Sequence, residues 1–139
     1  MNSNNNLLSY IAKNAEIGKD LYAQIIGLEH YNSKFKLTLK KRLIDYENIC
    51  SYVKDLQKDE DTSLDIKDIS SYFSANFNLC KYSSENNTAK MLLLDSISGI
   101  INIKKNVIDT PQIDNSTKKL AQSLSDAELE NIQEIKKFT

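Results

Sequence analysis

Near the end of the chain, "DAELENIQEIKKF" (Asp126–Phe138) sets Glu128 and Asn131 three residues apart. On a helix this spacing puts both side chains on one face, one turn apart. A Glu and a His at that spacing on each of two helices, with a further Glu from each of two more, make the carboxylate cage of di-metal four-helix proteins. Here Asn stands where the His would be. An amide nitrogen has no lone pair to give, and its oxygen is a weak neutral ligand. The spacing is that of a metal site, but the ligands are not.

Helical phase turns the other acids away from such a cage. Asp45-x-x-Asn48 is the matching pattern upstream, with Asp45 at the edge of an apolar stripe and Asn48 well off it. Glu16 points away from the side carrying Ile11, Gly18, Tyr22 and Ile25. Asp95 shares an outer stripe with Met91, Ser98 and Asn102, opposite Leu93 and Ile100. The single histidine, His30, lies in "GLEHYN" at a helix exit. The polar residues expected to face inward are Asn14, Tyr22, Arg42, Tyr46, Glu128 and Asn131. One carboxylate, one cation and several neutral groups suit an internal hydrogen-bond and ion-pair network, because buried polar groups must find partners. No metal ligand set is expected. If iron, manganese or zinc binds, Glu128 is its one anchor.

These side chains need long helices to position them. Three Gly and one Pro in 139 residues are too few for the many turns of a sheet. After a disordered lead over 1–5, one domain is expected over 6–139. Apolar residues recurring at three, four and seven define the helices. The first covers about 6–28, with Leu7, Ile11, Gly18, Leu21, Tyr22, Ile25 and Leu28 on one side. The second covers about 34–57, with Phe35, Leu39, Tyr46, Ile49, Cys50, Val53 and Leu56. A third, over about 88–108, is expected to turn Leu93, Ile97, Ile100 and Val107 inward, flanked by Leu92, Gly99 and Ile103. The last, over about 115–137, carries Leu120, Leu124, Ala127, Asn131, Ile135 and Phe138. Ser125 and Glu128 form a capping-box pattern. The stripe keeps its phase across them, so a continuous helix is expected. A shorter helix over about 64–82, with Tyr72, Phe73 and Phe77 in the core, falls in the connection between the second and third long helices. Four amphipathic helices of similar length predict an all-α antiparallel four-helix bundle.

The two thiols, Cys50 and Cys80, match no zinc spacing and are expected to be buried and free. No glycine-rich phosphate loop is present. No serine, cysteine or threonine is framed by a base as a nucleophile would need. Gly18 and Gly99 fall inside helices, where they let neighbours approach closely or leave room for a small apolar ligand. Net charge is −1, from 18 basic and 19 acidic residues, which gives no long-range pull toward nucleic acid or anionic lipid. The basic run "KFKLTLKKRL" (Lys34–Leu43) and the acids between Asp55 and Asp68 read as solvated faces. "MLLLDSISGII" (Met91–Ile101) is about half the length of a membrane span, and Asp95 interrupts it. The lead "MNSNNNLLSY" lacks the pattern of a signal peptide, so a cytoplasmic location is expected.

"NAEIGKDL" (Asn14–Leu21), "LIDYENI" (Leu43–Ile49), "AKMLLLDSISGIINIKK" (Ala89–Lys105) and "KLAQSLSDAELENIQEIKKF" (Lys119–Phe138) resemble stretches of a group of small bacterial ferritin-like helical proteins without an assigned reaction. The last two stretches are the most specific. The resemblance implies a ferritin-like four-helix bundle with an extra short helix, and it implies no reaction. A non-enzymatic structural or protein-interaction role is the leading expectation. A degenerate carboxylate metal protein and a bundle holding a small apolar ligand are the alternatives. A homodimer through an outer helix face is expected by analogy with other bundles, with no nucleic acid and no membrane as partner.

Overall fold

The computed structural model describes residues 3–56 and 78–139. Four long helices carry it: α1 (Ser3–Ile26), α2 (Ser33–Leu56), α3 (Glu85–Ile108) and α4 (Asn115–Ile135), closed by a 3-10 turn at Lys136–Phe138. No strand occurs among the described residues. The expected helix over 64–82 lies outside the described residues except for 78–82, which are helical. Tyr72, Phe73 and Phe77 are outside them too. α1 begins at Ser3, so the helix extends into the polar lead that was expected to be disordered through residue 5.

Local chemistry sets the helix ends. Asn32 Oδ1 accepts from the backbone N–H of Lys34 at 2.7 Å and starts α2. Ser84 does the same for Asn87 at the head of α3, and Asp114 for Thr117 at the head of α4. Each cap satisfies an N–H that the helix itself leaves unpaired. α3 stops just before Pro111, which has no N–H to continue the ladder. α4 runs through Ser125 without a break, and Ser125 is buried within it.

The directions of the helices follow from contacts at one end. His30 Nε2 lies 3.0 Å from the Ser83 carbonyl. Tyr31 donates to the Cys80 carbonyl at 2.6 Å, and the Asn32 N–H donates to Glu85 at 3.1 Å. The Phe35 and Phe138 rings pack 5.1 Å apart. The end of α1, the starts of α2 and α3, and the end of α4 therefore share this end. α1 and α4 run toward it, and α2 and α3 run away from it. α1 packs chiefly on α2, α3 on α4, and the two pairs meet mainly along α2 and α4. α2 has 24 residues and so is about 36 Å long.

The core comes from all four helices. Leu7, Ile11, Leu21 and Ile25 of α1 meet Phe35, Leu39, Ile49 and Val53 of α2. Leu120, Leu124 and Ile135 supply the α4 side. Cys50 and Cys80 are buried free thiols. The expected heading of α3 is corrected. Thr88, Leu92, Ser96, Gly99 and Ile103 face the core, while Leu93, Ile100 and Val107 are half-buried and Ile97 is exposed. The helix is apolar around most of its girth, so periodicity alone points in several directions. The interior partner for Asn131 sets the actual heading, as described next.

Candidate functional site

At mid-height the four helices enclose a polar cluster. Arg42 and Tyr46 of α2, one turn apart, face Glu128 of α4. Arg42 Nη2 donates to Glu128 Oε1, and the Tyr46 hydroxyl donates to the same oxygen at 3.1 Å. The Arg42 guanidinium carbon lies 3.9 Å from the centre of the Tyr46 ring. A planar cation over an aromatic face gains from the ring quadrupole, and here that offsets part of the cost of burial. Gly18 of α1 makes room for this ring: a Cβ there would come 2.6 Å from Tyr46 Cε1. Tyr22 packs edge-on against Tyr46 at 5.4 Å. Asn131 Nδ2 donates to the Tyr22 hydroxyl at 2.9 Å and to Ser96 Oγ at 3.0 Å. That last bond explains why small, polar Ser96 of α3 faces inward.

The cluster is strained electrostatically. Arg42 is 2% exposed and Glu128 1%. Arg42 Nε, Arg42 Nη1 and Glu128 Oε2 have no hydrogen-bond partner. Asp45, only partly buried, sits 3.8 Å from Arg42 Nη1, an ion pair without a hydrogen bond. Burial pushes the Glu128 carboxyl above the usual carboxylate range, against the pull of Arg42, Ser96 and Tyr46. Burial likewise raises Tyr22 and Tyr46 well above an ordinary phenol. For Arg42, burial works against the charge, but Tyr46, Glu128 and Tyr22 outweigh it and hold the guanidinium charged.

The residues do not fit a di-metal cage. A guanidinium occupies the space beside the one inward carboxylate, and a cation there repels a metal ion. The Asn131 amide is engaged as a donor. Among the described residues no three of His, Cys, Asp and Glu converge. Asn48 is exposed, and Glu16 pairs with Lys19 at 3.0 Å on the flank of α1. His30 is exposed, its ring tilted against Tyr31 with centroids 4.0 Å apart.

Of the six polar residues expected inside, Tyr22, Arg42, Tyr46, Glu128 and Asn131 come together. Asn14 does not join them and is corrected: it is half-buried, beside Tyr10 on the rim of a groove. This groove, of about 290 Å³, opens between α1 and α3, which pack only sparsely on each other. Ile17, Leu21, Tyr22 and Tyr46 line its depth, with Gly99 and Glu128 at the floor. Tyr10, Lys13, Asp95, Ser98 and Asn102 stand at its edge. Asp95, Ser98 and Asn102 are exposed, as their outer stripe predicts, and Tyr10 and Lys13 carry no sequence signal for the groove. The signal for Ser96 was the need of a buried Asn131 for an acceptor on the facing helix.

No protein-family model, no curated protein and no solved structure matches the chain.

Proposed function

We propose that this chain is a ferritin-like helical bundle without a reaction of its own, a structural or protein-interaction module that pairs with a second copy through the outer face of α3. The observation that carries the reading is a row of exposed apolar side chains, Leu94, Ile97, Ile101 and Ile108, which are 65%, 40%, 61% and 79% exposed. Their spacing of three, four and seven is that of a seam where one helix packs on another. An equivalent row on a second copy is its simplest complement, since a two-fold axis brings the same patch to both sides. A net charge of −1 sets up little repulsion between copies.

Two further features support the rest of the reading. The order of helix directions, with a long α2–α3 connection, is that of bundles with one long crossover, ferritin-like folds among them. The Arg42 guanidinium beside Glu128 makes the interior a poor host for redox metal. No described helix is long and apolar enough to cross a membrane. The reading extends to a protein that works in the cytoplasm, apart from nucleic acid and membranes.

Light scattering across a wide concentration range tests the pairing. A dimer is expected, and Leu94→Lys with Ile101→Lys should give a monomer of unchanged helicity. A strict monomer at the highest concentration overturns it. Elemental analysis of protein purified without added metal tests the other half, and near-stoichiometric iron, manganese or zinc overturns that.

A further inference from the structure

Gly99 is not needed for close packing. A Cβ placed on it would meet Asn14 Nδ2 at 3.7 Å and Glu128 Oε2 at 3.8 Å, ordinary contact distances. The point above Gly99 thus has an amide donor on one side and a carboxylate acceptor on the other. That acceptor belongs to a side chain only 2% exposed, and it has no hydrogen-bond partner. Ser96 stands near enough to ease the ionisation of Glu128, yet its hydroxyl, which accepts from Asn131, forms no well-directed hydrogen bond to Oε2. A buried acceptor left unpaired is costly, and native structures seldom leave one without a reason.

We propose that the groove between α1 and α3 binds a small neutral amide, its apolar body against Ile17 and Tyr22 and its amide edge between Asn14 and Glu128. The carbonyl accepts from the Asn14 amide and the N–H donates to Glu128 Oε2. Charge balance selects a neutral ligand. Arg42, behind the lining, balances Glu128 at the floor, and Lys13 and Asp95 carry opposite charges at the mouth. A net charge on the ligand would enter this low-dielectric space uncompensated. Size favours a single substituted ring: 290 Å³ is at the lower edge of ligand pockets. Oε2 is screened from water in the free chain, so binding includes a small shift of the half-buried Asn14 side chain. The proposal is independent of whether copies pair through the outer face of α3.

Benzamide is the probe, titrated into the full chain and followed by amide chemical shifts. Shifts at groove residues are expected, with affinity about tenfold or more weaker for N,N-dimethylbenzamide, benzoate and benzamidinium. Gly99→Ala should weaken benzamide by a similar factor without lowering Tm, because its methyl fills the space above Oε2 without a clash. Asn14→Leu provides a second variant with the same expectation. Absence of benzamide binding at about 10 mM overturns the proposal. So does equal or tighter binding of a charged or N-methylated analogue, wild-type affinity in Gly99→Ala, or a complex with an ordered water alone at Oε2.

Discussion

The Arg42 guanidinium and the Glu128 carboxylate, 86 residues apart in sequence, meet inside the bundle between α2 and α4. Neither charge has full hydrogen-bond satisfaction. Removing one charge of a buried pair costs about 3–5 kcal/mol, because the other is left alone. Arg42→Met is expected to lose that much stability by urea denaturation. Replacing both with apolar residues, as Arg42→Met with Glu128→Leu, should recover most of the loss. If the double variant is as unstable as the single, the cost lies in lost packing and the electrostatic account fails.

The glycines of α1 and α3 should respond in opposite ways. Gly18→Ala drives a methyl into the Tyr46 ring, and overpacking of this kind costs about 1–3 kcal/mol. Gly99→Ala meets its neighbours at ordinary distances and should gain up to about 1 kcal/mol of helix propensity. Thermal unfolding of the two variants side by side checks the contrast. Equal effects would mean that the Tyr46 ring has freedom to move aside.

Stability should carry a pH signature of Glu128. Burial, outweighing the pull of Arg42, raises its carboxyl above the ordinary value of 4.5. A group whose proton is held more tightly in the folded chain stabilises the fold fully below the ordinary value. That contribution is lost as pH rises through the folded-state value. Wild type is therefore expected to lose stability relative to Glu128→Gln as pH rises above 4.5. Below that pH the two should run parallel. Denaturant midpoints for both proteins across the acidic range measure the gap, and a gap that widens in favour of wild type on raising the pH refutes the assignment.

The thiols should be inert while the chain is folded. Burial, reinforced by Glu16, pushes Cys50 up to about 12, and burial pushes Cys80 up to about 11. Only the thiolate attacks a disulfide reagent, so at pH 8 the reactive fraction falls roughly hundreds- to thousands-fold below that of a free cysteine. Labelling with Ellman's reagent is expected to be slow in buffer and immediate in denaturant. Rapid reaction of either native thiol would contradict its burial.

Three of the four helix faces were legible in the sequence because each pairs a coherent apolar stripe with a polar opposite side. Phe35, Leu39, Tyr46, Ile49 and Val53 are all buried, as are Leu120, Leu124, Asn131 and Ile135, while Leu56 at the end of α2 is exposed and Ala127 and Phe138 are half-buried. α3 was misread because Leu92, Leu93 and Leu94 stand in succession and isoleucines follow on several sides. Hydrophobicity then carries no heading, and the small residues Ser96 and Gly99 mark the inner side instead. Asn14 was placed inside from its spacing alone. Its side of α1 looks into the gap toward α3, and the sequence holds no record of a gap.

The arrangement of the chain has a consequence for assembly. α1 with α2, and α3 with α4, are two helical hairpins, each contiguous in sequence, and Arg42 belongs to one while Glu128 belongs to the other. Each hairpin can form from local contacts, but the first offers Arg42 only the partly buried Asp45 at 3.8 Å, and its buried partner Glu128 comes from the second. A docking slipped by one turn would strand a guanidinium on one side and a carboxylate on the other. The two halves thus carry a proofreading device, which admits only the register that brings the opposite charges together.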